Sequence, residues 1–191
     1  GVAMMNGSFL RLHGKVVIMR QFNLEQVFAN IDKYKVQSVP IVPTMVIYML
    51  MFPDYKKYDI RSVKYWVCGS APLSIDTWKQ FKEKFGMEIG EGWGLSEAGA
   101  NNSTNIGRPV IKPGTIGKPM KGMEMKIFDD HDNEVPQGQE GEIVLKGPMV
   151  MKGYWNMPEA TAEVIRNGWL HTGDIGFVDA DGYFTITDRK K

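Results

Sequence analysis

The first half of the chain alternates short apolar segments with amphipathic ones. The apolar segments are rich in β-branched or aromatic residues and predict strands at residues 16–20, 37–42, 63–68 and 87–93. Between them, apolar side chains recur every three to four residues, which predicts helices. These helices are expected to begin beside Asn23, Pro43 and Ser74, which are residue types that favour the first turn. Strands that alternate with helices indicate a mainly parallel sheet covered by helices.

The pattern changes at residues 109–117, which are rich in proline and glycine. Beyond them, alternating segments separated by turn residues predict antiparallel strands at residues 123–128, 141–146, 174–178 and 183–187. A short helix is predicted to start at Pro158. We therefore expect an α/β fold, with a mainly parallel, helix-flanked sheet in residues 1–112. A smaller, antiparallel, β-barrel-like subdomain is expected in residues 113–191.

Composition and charge argue against several classes of protein. The 191 residues carry 23 Lys and Arg against 22 Asp and Glu, a net charge of +1, which argues against a nucleic-acid partner. The single cysteine, Cys68, excludes an internal disulfide framework and is typical of a reducing compartment. No apolar run reaches the ~18 residues of a transmembrane segment. We expect a cytoplasmic protein, and both ends read as cut from a longer chain.

The sequence Glu-Gly-Trp-Gly-Leu-Ser-Glu at residues 91–97 follows a predicted strand. It therefore lies at the strand's carboxyl end, the edge where open α/β sheets bind ligands. Trp93 offers a flat face to a base, and Gly94 lets the backbone approach a ligand closely. Ser96 can donate to a phosphate, and Glu97 is a hard oxygen ligand suited to Mg²⁺. The alternative is a simple turn before a buried loop, with Glu97 in solvent.

The segment Gly-Trp-Leu-His-Thr-Gly-Asp at residues 168–174 ends in a carboxylate. The two acceptor oxygens of Asp174 match the two hydroxyls of a ribose. The alternative is that Asp174 caps a turn of the following hairpin. His171 is interpreted as a packed, hydrogen-bonded strand residue rather than a catalytic base.

A third candidate lies between a predicted strand and a predicted helix. The sequence Gly-Ser-Ala-Pro at residues 69–72 could present its backbone to the edge of a purine. It could equally be a plain strand-to-helix connection. None of the three segments is decisive by itself.

Together and in this order, the motifs resemble the AMP-forming acyl-CoA synthetases, the adenylate-forming enzymes, and are most similar to their fatty acyl-CoA ligases. Five motifs carry the resemblance. The first three are an adenine-binding turn at 69–73, an aromatic-Gly-x-Thr-Glu motif at 93–97, and a Gly-Glu strand with a Gly-Tyr-Trp turn within 141–155. The other two are a Trp-x-x-Thr-Gly-Asp signature at 169–174 and an Asp-Arg-Lys-Lys segment at 188–191. Ser96 replaces the usual threonine and keeps its hydroxyl.

The resemblance implies a part of the large N-terminal domain of a ligase that uses ATP, Mg²⁺ and coenzyme A. Such an enzyme activates a carboxylic acid as an acyl-adenylate and transfers the acyl group to coenzyme A, releasing AMP. For the nucleoside, the resemblance implies adenine contacts by Gly69, Ser70, Ala71, Trp93 and Gly94, and ribose contacts by Asp174 and Arg189. For the phosphates, it implies that Ser96 binds a phosphate and that Glu97 binds Mg²⁺. Lys191 is implied to be the interdomain hinge.

Two parts of the family's enzymes do not occur in this sequence. One is the Ser/Thr/Gly-rich phosphate loop that ends in Pro-Lys-Gly, and the other is the C-terminal domain with its catalytic lysine. The isolated chain is therefore expected to be inactive. Val39, Pro40, Ile41 and Pro43 could line an apolar tunnel, and the lack of a charge there to pair with an amino group argues against an amino acid as substrate. The similarity to fatty acyl-CoA ligases implies a medium- or long-chain fatty acid. The alternatives are an aryl-acid CoA ligase and a non-catalytic nucleotide-binding module.

Overall fold

The computed structural model describes residues 13–99 and 101–190. The chain divides into two compact units, Gly1–Gly90 and Glu91–Lys191. The boundary predicted at residue 112 therefore falls inside the second unit. The proposed hinge residue, Lys191, lies outside the described residues.

The helices of the first unit begin and end where local chemistry predicts. They are α1 (Leu24–Tyr34), α2 (Pro43–Met51) and α3 (Ile75–Phe85), with a 3₁₀ turn at Pro53–Lys57. The Asn23 carboxamide accepts from the backbone N–H of Gln26, and the Ser74 hydroxyl accepts from that of Thr77. Gly86 ends α3 with a φ of +68°. The three predicted helix starts are confirmed.

Two parallel strands accompany these helices in the first unit. Strand β1 (Ser38–Ile41) pairs with β2 (Tyr65–Cys68), and Pro40 stands opposite Val67. Pro40 is tolerated because β1 is an edge strand, where a missing N–H leaves no neighbouring strand unpaired. The predicted strands at residues 37–42 and 63–68 are confirmed.

The strand predicted at residues 16–20 is wrong, because these residues adopt an irregular conformation. A strand needs a neighbouring strand and a core to cover its apolar side chains. Here the Ile18 side chain is 79% exposed, and in the described ranges nothing pairs with this segment. The β-branched composition was therefore a misleading signal.

Aromatic residues dominate the core of the first unit. Phe28 of α1 is fully buried and stacks on Phe52 with a ring-centroid distance of 5.2 Å. Trp66 of β2 meets Phe81 of α3 edge to face at 5.4 Å. Fully burying one such side chain contributes about 1.5–3 kcal/mol. This packing joins α1 to the segment after α2, and β2 to α3.

The second unit is built from antiparallel strands. Strand β3 (Ile89–Trp93) enters it from the first unit and pairs with β4 (Ser103–Thr104), which pairs with β5 (Lys118–Pro119). The remaining strands form one sheet in the order β10-β9-β7-β6, with β8 beside β9. Their bounds are β6 (Glu124–Phe128), β7 (Gly141–Lys146), β8 (Ile165–Arg166), β9 (Trp169–Val178) and β10 (Phe184–Arg189); helix α4 (Pro158–Val164) precedes β8.

A bulge in β9 shapes the part of this sheet that carries a predicted site residue. Glu142 of β7 pairs with Ile175, but Val144, two residues on, pairs with His171. Three residues of β9 therefore stand opposite Ile143 alone. The second of them, Gly173, has a φ of +74°, a conformation that glycine adopts without strain. The carboxylate of the next residue thus projects from an irregular point of the strand.

The inner face of this sheet forms the core of the second unit. Its buried members are Ala98, Met123, Met125, Ile127, Ile143, Leu145, Leu170 and Phe184. The expected α/β class, with helices around a parallel pair and a curled antiparallel sheet after it, is confirmed. Over the described ranges, every helix is too short or too polar to cross a membrane.

Candidate functional site

Three of the predicted site residues meet in the second unit around one carboxylate. The Asp174 side chain is only 13% exposed. Its Oδ2 accepts a hydrogen bond from Nε1 of Trp93 at 2.9 Å, and its Oδ1 lies 3.4 Å from Nε of Arg189. The Arg189 side chain is 79% exposed, so this ion pair lies at the surface. An indole and a guanidinium thus fix the orientation of a single carboxylate.

Strand pairing brings these three residues together. Arg189 is the last residue of β10, and its register partner on β9 is Asp174. Trp93 is the last residue of β3, opposite Ser103 of β4. Asp174 is the last of the three bulge residues, and its backbone N–H donates to the hydroxyl of Thr172, the first of them, at 3.1 Å. Asp174 lies within β9, so it does not cap the hairpin turn.

Glu97 lies in a 3₁₀ turn, Ser96–Ala98, that directly follows β3. Its Oε1 accepts from the hydroxyl of Tyr154 at 3.0 Å, and its backbone carbonyl accepts from the N–H of Met151 at 2.7 Å. The hydrogen bond to the carboxylate raises the pKa of Tyr154 above its ordinary value of 10.0, so its hydroxyl remains protonated through the neutral range. Ser96 is exposed beside this pair.

A buried amide supports that turn. The Asn102 side chain is fully buried; its Oδ1 accepts from the N–H of Leu95 at 3.3 Å, and its Nδ2 donates to the carbonyl of Ala98 at 2.5 Å. These two hydrogen bonds hold Leu95 and Ala98, the residues on either side of Ser96 and Glu97. Sequence reasoning gave Asn102 and Tyr154 no role, although Tyr154 belongs to the Gly-Tyr-Trp turn that carried part of the resemblance.

His171 is a packed strand residue, as the sequence indicated. Its side chain is 4% exposed, and its Nδ1 lies 2.9 Å from Nη2 of Arg166 and 3.1 Å from Oε2 of Glu142. Arg166 binds Asp132 through two nitrogens, which lowers the pKa of that carboxyl below its ordinary value. His171 directly precedes the bulge of β9 along the strand.

The remaining predicted residues occupy separate positions. Gly69, Ser70 and Ala71 form the turn after β2 in the first unit, where Ser70 has a φ of +71° and is exposed together with Ala71. The N–H of Gly69 donates to the carbonyl of Ile41 at 3.3 Å. Gly94 is exposed directly after β3 in the second unit.

Among the predicted site residues, Glu97 is the expected Mg²⁺ ligand. Across residues 13–99 and 101–190, no three His, Cys, Asp or Glu side chains converge on a point that could hold a metal. Mg²⁺ commonly binds through one or two carboxylates together with substrate phosphates and water. Glu97, a half-buried carboxylate held by Tyr154, fits that mode and does not fit an all-protein cage.

Fold and clustered residues define the chain as an α/β protein with a polar site on the antiparallel part of its second unit. The chain belongs to the AMP-binding enzyme family, whose sequence pattern matches residues 1–155. The resemblance predicted from the five motifs is confirmed at this level.

Individual proteins that are similar to this chain in sequence or in structure support the same family. A long-chain-fatty-acid–CoA ligase of Bacillus subtilis is 40% identical over 190 residues, which cover 99% of this chain and 34% of the relative. A 4-coumarate–CoA ligase of Pinus taeda is 39% identical over 189 residues, covering 95% and 35%. The crystal structure of ATP-bound MatB from Rhodopseudomonas palustris superposes with a TM-score of 0.90 at 29% identity, over 97% of this chain and 37% of that one. The chain thus spans about a third of the length of each of these proteins.

Proposed function

We propose that this chain is part of an ATP-dependent ligase that activates a carboxylic acid as an acyl-adenylate and transfers the acyl group to coenzyme A. Membership of the AMP-binding enzyme family supports the nucleotide. The observation that carries the proposal is the Asp174 carboxylate, held between Trp93 and Arg189 at the edge of the second unit. A fixed carboxylate with two acceptor oxygens suits a ribose diol.

The proposed chemistry has two steps. A carboxylate is a poor electrophile, so the acid first attacks the α-phosphorus of ATP, which forms a mixed anhydride with AMP and expels pyrophosphate. The thiol of coenzyme A then attacks the acyl carbon; a thioester forms and AMP leaves. Both steps require that the nucleotide be held in a fixed orientation relative to the acid.

In the second unit, each of the proposed site residues would have a separate role in these two steps. Asp174 would accept hydrogen bonds from the ribose hydroxyls, with Arg189 beside it, and Trp93 would pack against the adenine. Ser96 would donate to a phosphate oxygen, and Glu97 would hold Mg²⁺. When bound with ATP, Mg²⁺ would neutralise charge on the phosphates.

Other residues keep the roles that the family resemblance implies for them. In the first unit, the backbone of Gly69, Ser70 and Ala71 would face the adenine edge, and Gly94 would allow close approach after β3. Lys191 would act as the hinge to a C-terminal domain. A phosphate loop and that C-terminal domain would have to come from a longer protein. We propose the cytoplasm as its location, in keeping with one buried cysteine.

We propose a medium- or long-chain fatty acid as the substrate. Support comes from the apolar segment at residues 39–43 and from the relative named as a long-chain-fatty-acid–CoA ligase. The alternative is an aromatic acid, because a 4-coumarate–CoA ligase has almost the same identity to this chain. The third possibility, a nucleotide-binding module without catalysis, predicts nucleotide binding with no acid-dependent turnover.

The proposal is tested by acid-dependent ATP–pyrophosphate exchange with a full-length ligase that contains these residues. Fatty acids of graded length, 4-coumarate and an amino acid would be compared at equal concentration. We expect exchange with the fatty acids and thioester formation once coenzyme A is added. Exchange confined to 4-coumarate would favour the aryl alternative, and nucleotide binding without exchange on any acid would refute the ligase.

A further inference from the structure

We propose that Glu142 is a positioning residue for nucleotide binding: its carboxylate joins the segment before Asp174 to the segment after Arg189 and thereby holds the ribose-binding groups in place. This inference rests on the proposed function. Glu142 is the second residue of β7, and its side chain is only 8% exposed. A carboxylate so deeply buried needs hydrogen bonds and cations around it.

One oxygen of this carboxylate binds the bulge. Oε1 of Glu142 accepts from the backbone N–H of Gly173 at 2.9 Å. Gly173 is the residue with positive φ that turns the strand immediately before Asp174. The same bulge is tied on its other side by Thr172, whose hydroxyl donates to the carbonyl of Ile143 at 2.7 Å. The path of the backbone into Asp174 is therefore fixed by side chains, where regular strand pairing is interrupted.

The other oxygen faces the end of the described chain. Oε2 of Glu142 lies 3.6 Å from Nζ of Lys190, whose backbone N–H donates to the carbonyl of Gly173 at 2.6 Å. Gly173 is thus held through its N–H by Glu142 and through its carbonyl by Lys190. Since Arg189 directly precedes Lys190, the same contacts hold the backbone of Arg189 beside Asp174, its register partner.

Neighbouring groups indicate that the negative charge of Glu142 contributes to its contacts. Oε2 lies 3.1 Å from Nδ1 of His171, which also lies 2.9 Å from Nη2 of Arg166. Lys190 additionally binds Asp130 at 2.9 Å. Glutamine would keep the size of the side chain and an acceptor for Gly173, but it would lose the attraction to Lys190. Alanine would lose both.

The test uses a full-length ligase that contains these residues, with Glu142→Ala and Glu142→Gln. Glu134→Gln is the matched control, because Glu134 is an exposed carboxylate paired with Lys126 in the same unit. For each protein, KM is measured for ATP and for the acid, together with the preference for ATP over 2′-deoxy-ATP. Thermal unfolding is measured in parallel.

We expect Glu142→Ala to raise KM for ATP about tenfold, equivalent to about 1.4 kcal/mol. KM for the acid should stay unchanged, and the preference for ATP over 2′-deoxy-ATP should fall. Glu142→Gln should lie between Glu142→Ala and the wild type, whereas Glu134→Gln should match the wild type.

Three results would overturn the inference. The first is an unchanged KM for ATP with unchanged 2′-deoxy discrimination in both variants, and the second is an equal rise of KM for ATP and acid. The third is a fall in unfolding temperature alone, which indicates a structural role. If Glu142→Ala does not fold, Glu142→Gln decides by the same criteria. A wild-type ligase with no preference for ATP over 2′-deoxy-ATP would refute the ribose site itself, and this inference with it.

Discussion

At the scale of single residues, the carboxylate of Asp174 already contacts protein groups through both oxygens. Trp93 donates to one, and Arg189 lies beside the other. The indole contact is the shorter and the more buried of the two. A ribose hydroxyl that approached the side of Arg189 would replace a surface ion pair of small energy. The bond to Trp93 could persist and keep the carboxylate in its orientation.

Replacing Asp174 should therefore weaken nucleotide binding selectively. In a full-length ligase, we expect Asp174→Ala to raise KM for ATP roughly tenfold or more, because a hydrogen bond to a charged group contributes about 1.5–3 kcal/mol. KM for the acid should change little. Initial-rate kinetics with ATP and 2′-deoxy-ATP would measure both effects.

The matched control is Asp181→Ala, at the exposed turn of the hairpin formed by β9 and β10, where the side chain is 72% exposed. This change should leave both nucleotides unaffected. If Asp174→Ala discriminates 2′-deoxy-ATP from ATP as well as the wild type does, Asp174 has no contact with the ribose.

Tyr154 should act through Glu97. Tyr154→Phe keeps the ring and removes the hydroxyl that donates to Oε1 of Glu97. We expect the Mg²⁺ concentration for half-maximal rate to rise by about two- to tenfold, since one hydrogen bond to a charged group is lost. Trp155→Phe is the control, because the neighbouring Trp155 is 88% exposed.

A double-substitution experiment separates this role from a general effect. Glu97→Gln should itself raise the Mg²⁺ concentration for half-maximal rate and lower the rate of adenylation, because a neutral amide is a poorer Mg²⁺ ligand. In that background, adding Tyr154→Phe should cause little further change. Additive effects of the two substitutions would mean that Tyr154 does not act through Glu97.

The family resemblance of the ordered motifs implied that Trp93, Asp174 and Arg189 belong to one site, and the structure brings them together. Their roles toward a nucleotide remain predictions. The supporting residues were not found, because their partners are distant in sequence. Tyr154 binds a residue 57 positions away, and Glu142 binds one 31 positions away. No local pattern reports such pairings.

At the scale of elements, prediction succeeded where the determining contacts are local. Helix starts at Asn23 and Ser74 depend on a side chain and an N–H three residues on, so the sequence contains the whole signal. The strand predicted at residues 16–20 failed because a strand depends on partners elsewhere. The bulge at Gly173 likewise depends on how β9 pairs with β7, which the sequence pattern of β9 alone does not specify.

Gly117 provides a test of close packing between elements in the second unit. Its φ is +83°, and a Cβ there would lie 2.0 Å from the carbonyl carbon of Thr104 in β4. Gly122 has a similar φ of +87° but open space around it. We expect Gly122→Ala to destabilise by about 1–2 kcal/mol from backbone strain alone. Gly117→Ala should cost about 2–5 kcal/mol, because overpacking adds to the strain.

Urea unfolding of the two variants beside the wild type would measure this difference. Equal destabilisation would mean that β4 can move away from Gly117 at no cost. The comparison isolates the steric contribution, since the two glycines have similar positive φ angles.

At the scale of the whole molecule, the chain covers about a third of the length of the relatives it matches. Its sequence contains the motifs that we propose to contact the adenine, the ribose and the metal, and it does not contain the family's phosphate loop or catalytic lysine. We expect this 191-residue chain alone to release pyrophosphate at the background rate with ATP, Mg²⁺ and a fatty acid. Clear steady-state turnover would mean that the reaction does not require the phosphate loop and the catalytic lysine.

The bond between Trp93 and Asp174 also gives the molecule an internal optical probe. Indole fluorescence responds to a charged neighbour and to water, and here the indole nitrogen touches the very carboxylate assigned to the ribose. A nucleotide arriving at Asp174 would change the emission of Trp93 without any attached dye. The other four tryptophans, Trp66, Trp78, Trp155 and Trp169, would contribute a background, and a Trp93→Phe variant would show which part of the change in emission comes from Trp93. Ligand arrival could then be followed by stopped-flow mixing, separately from every later chemical step.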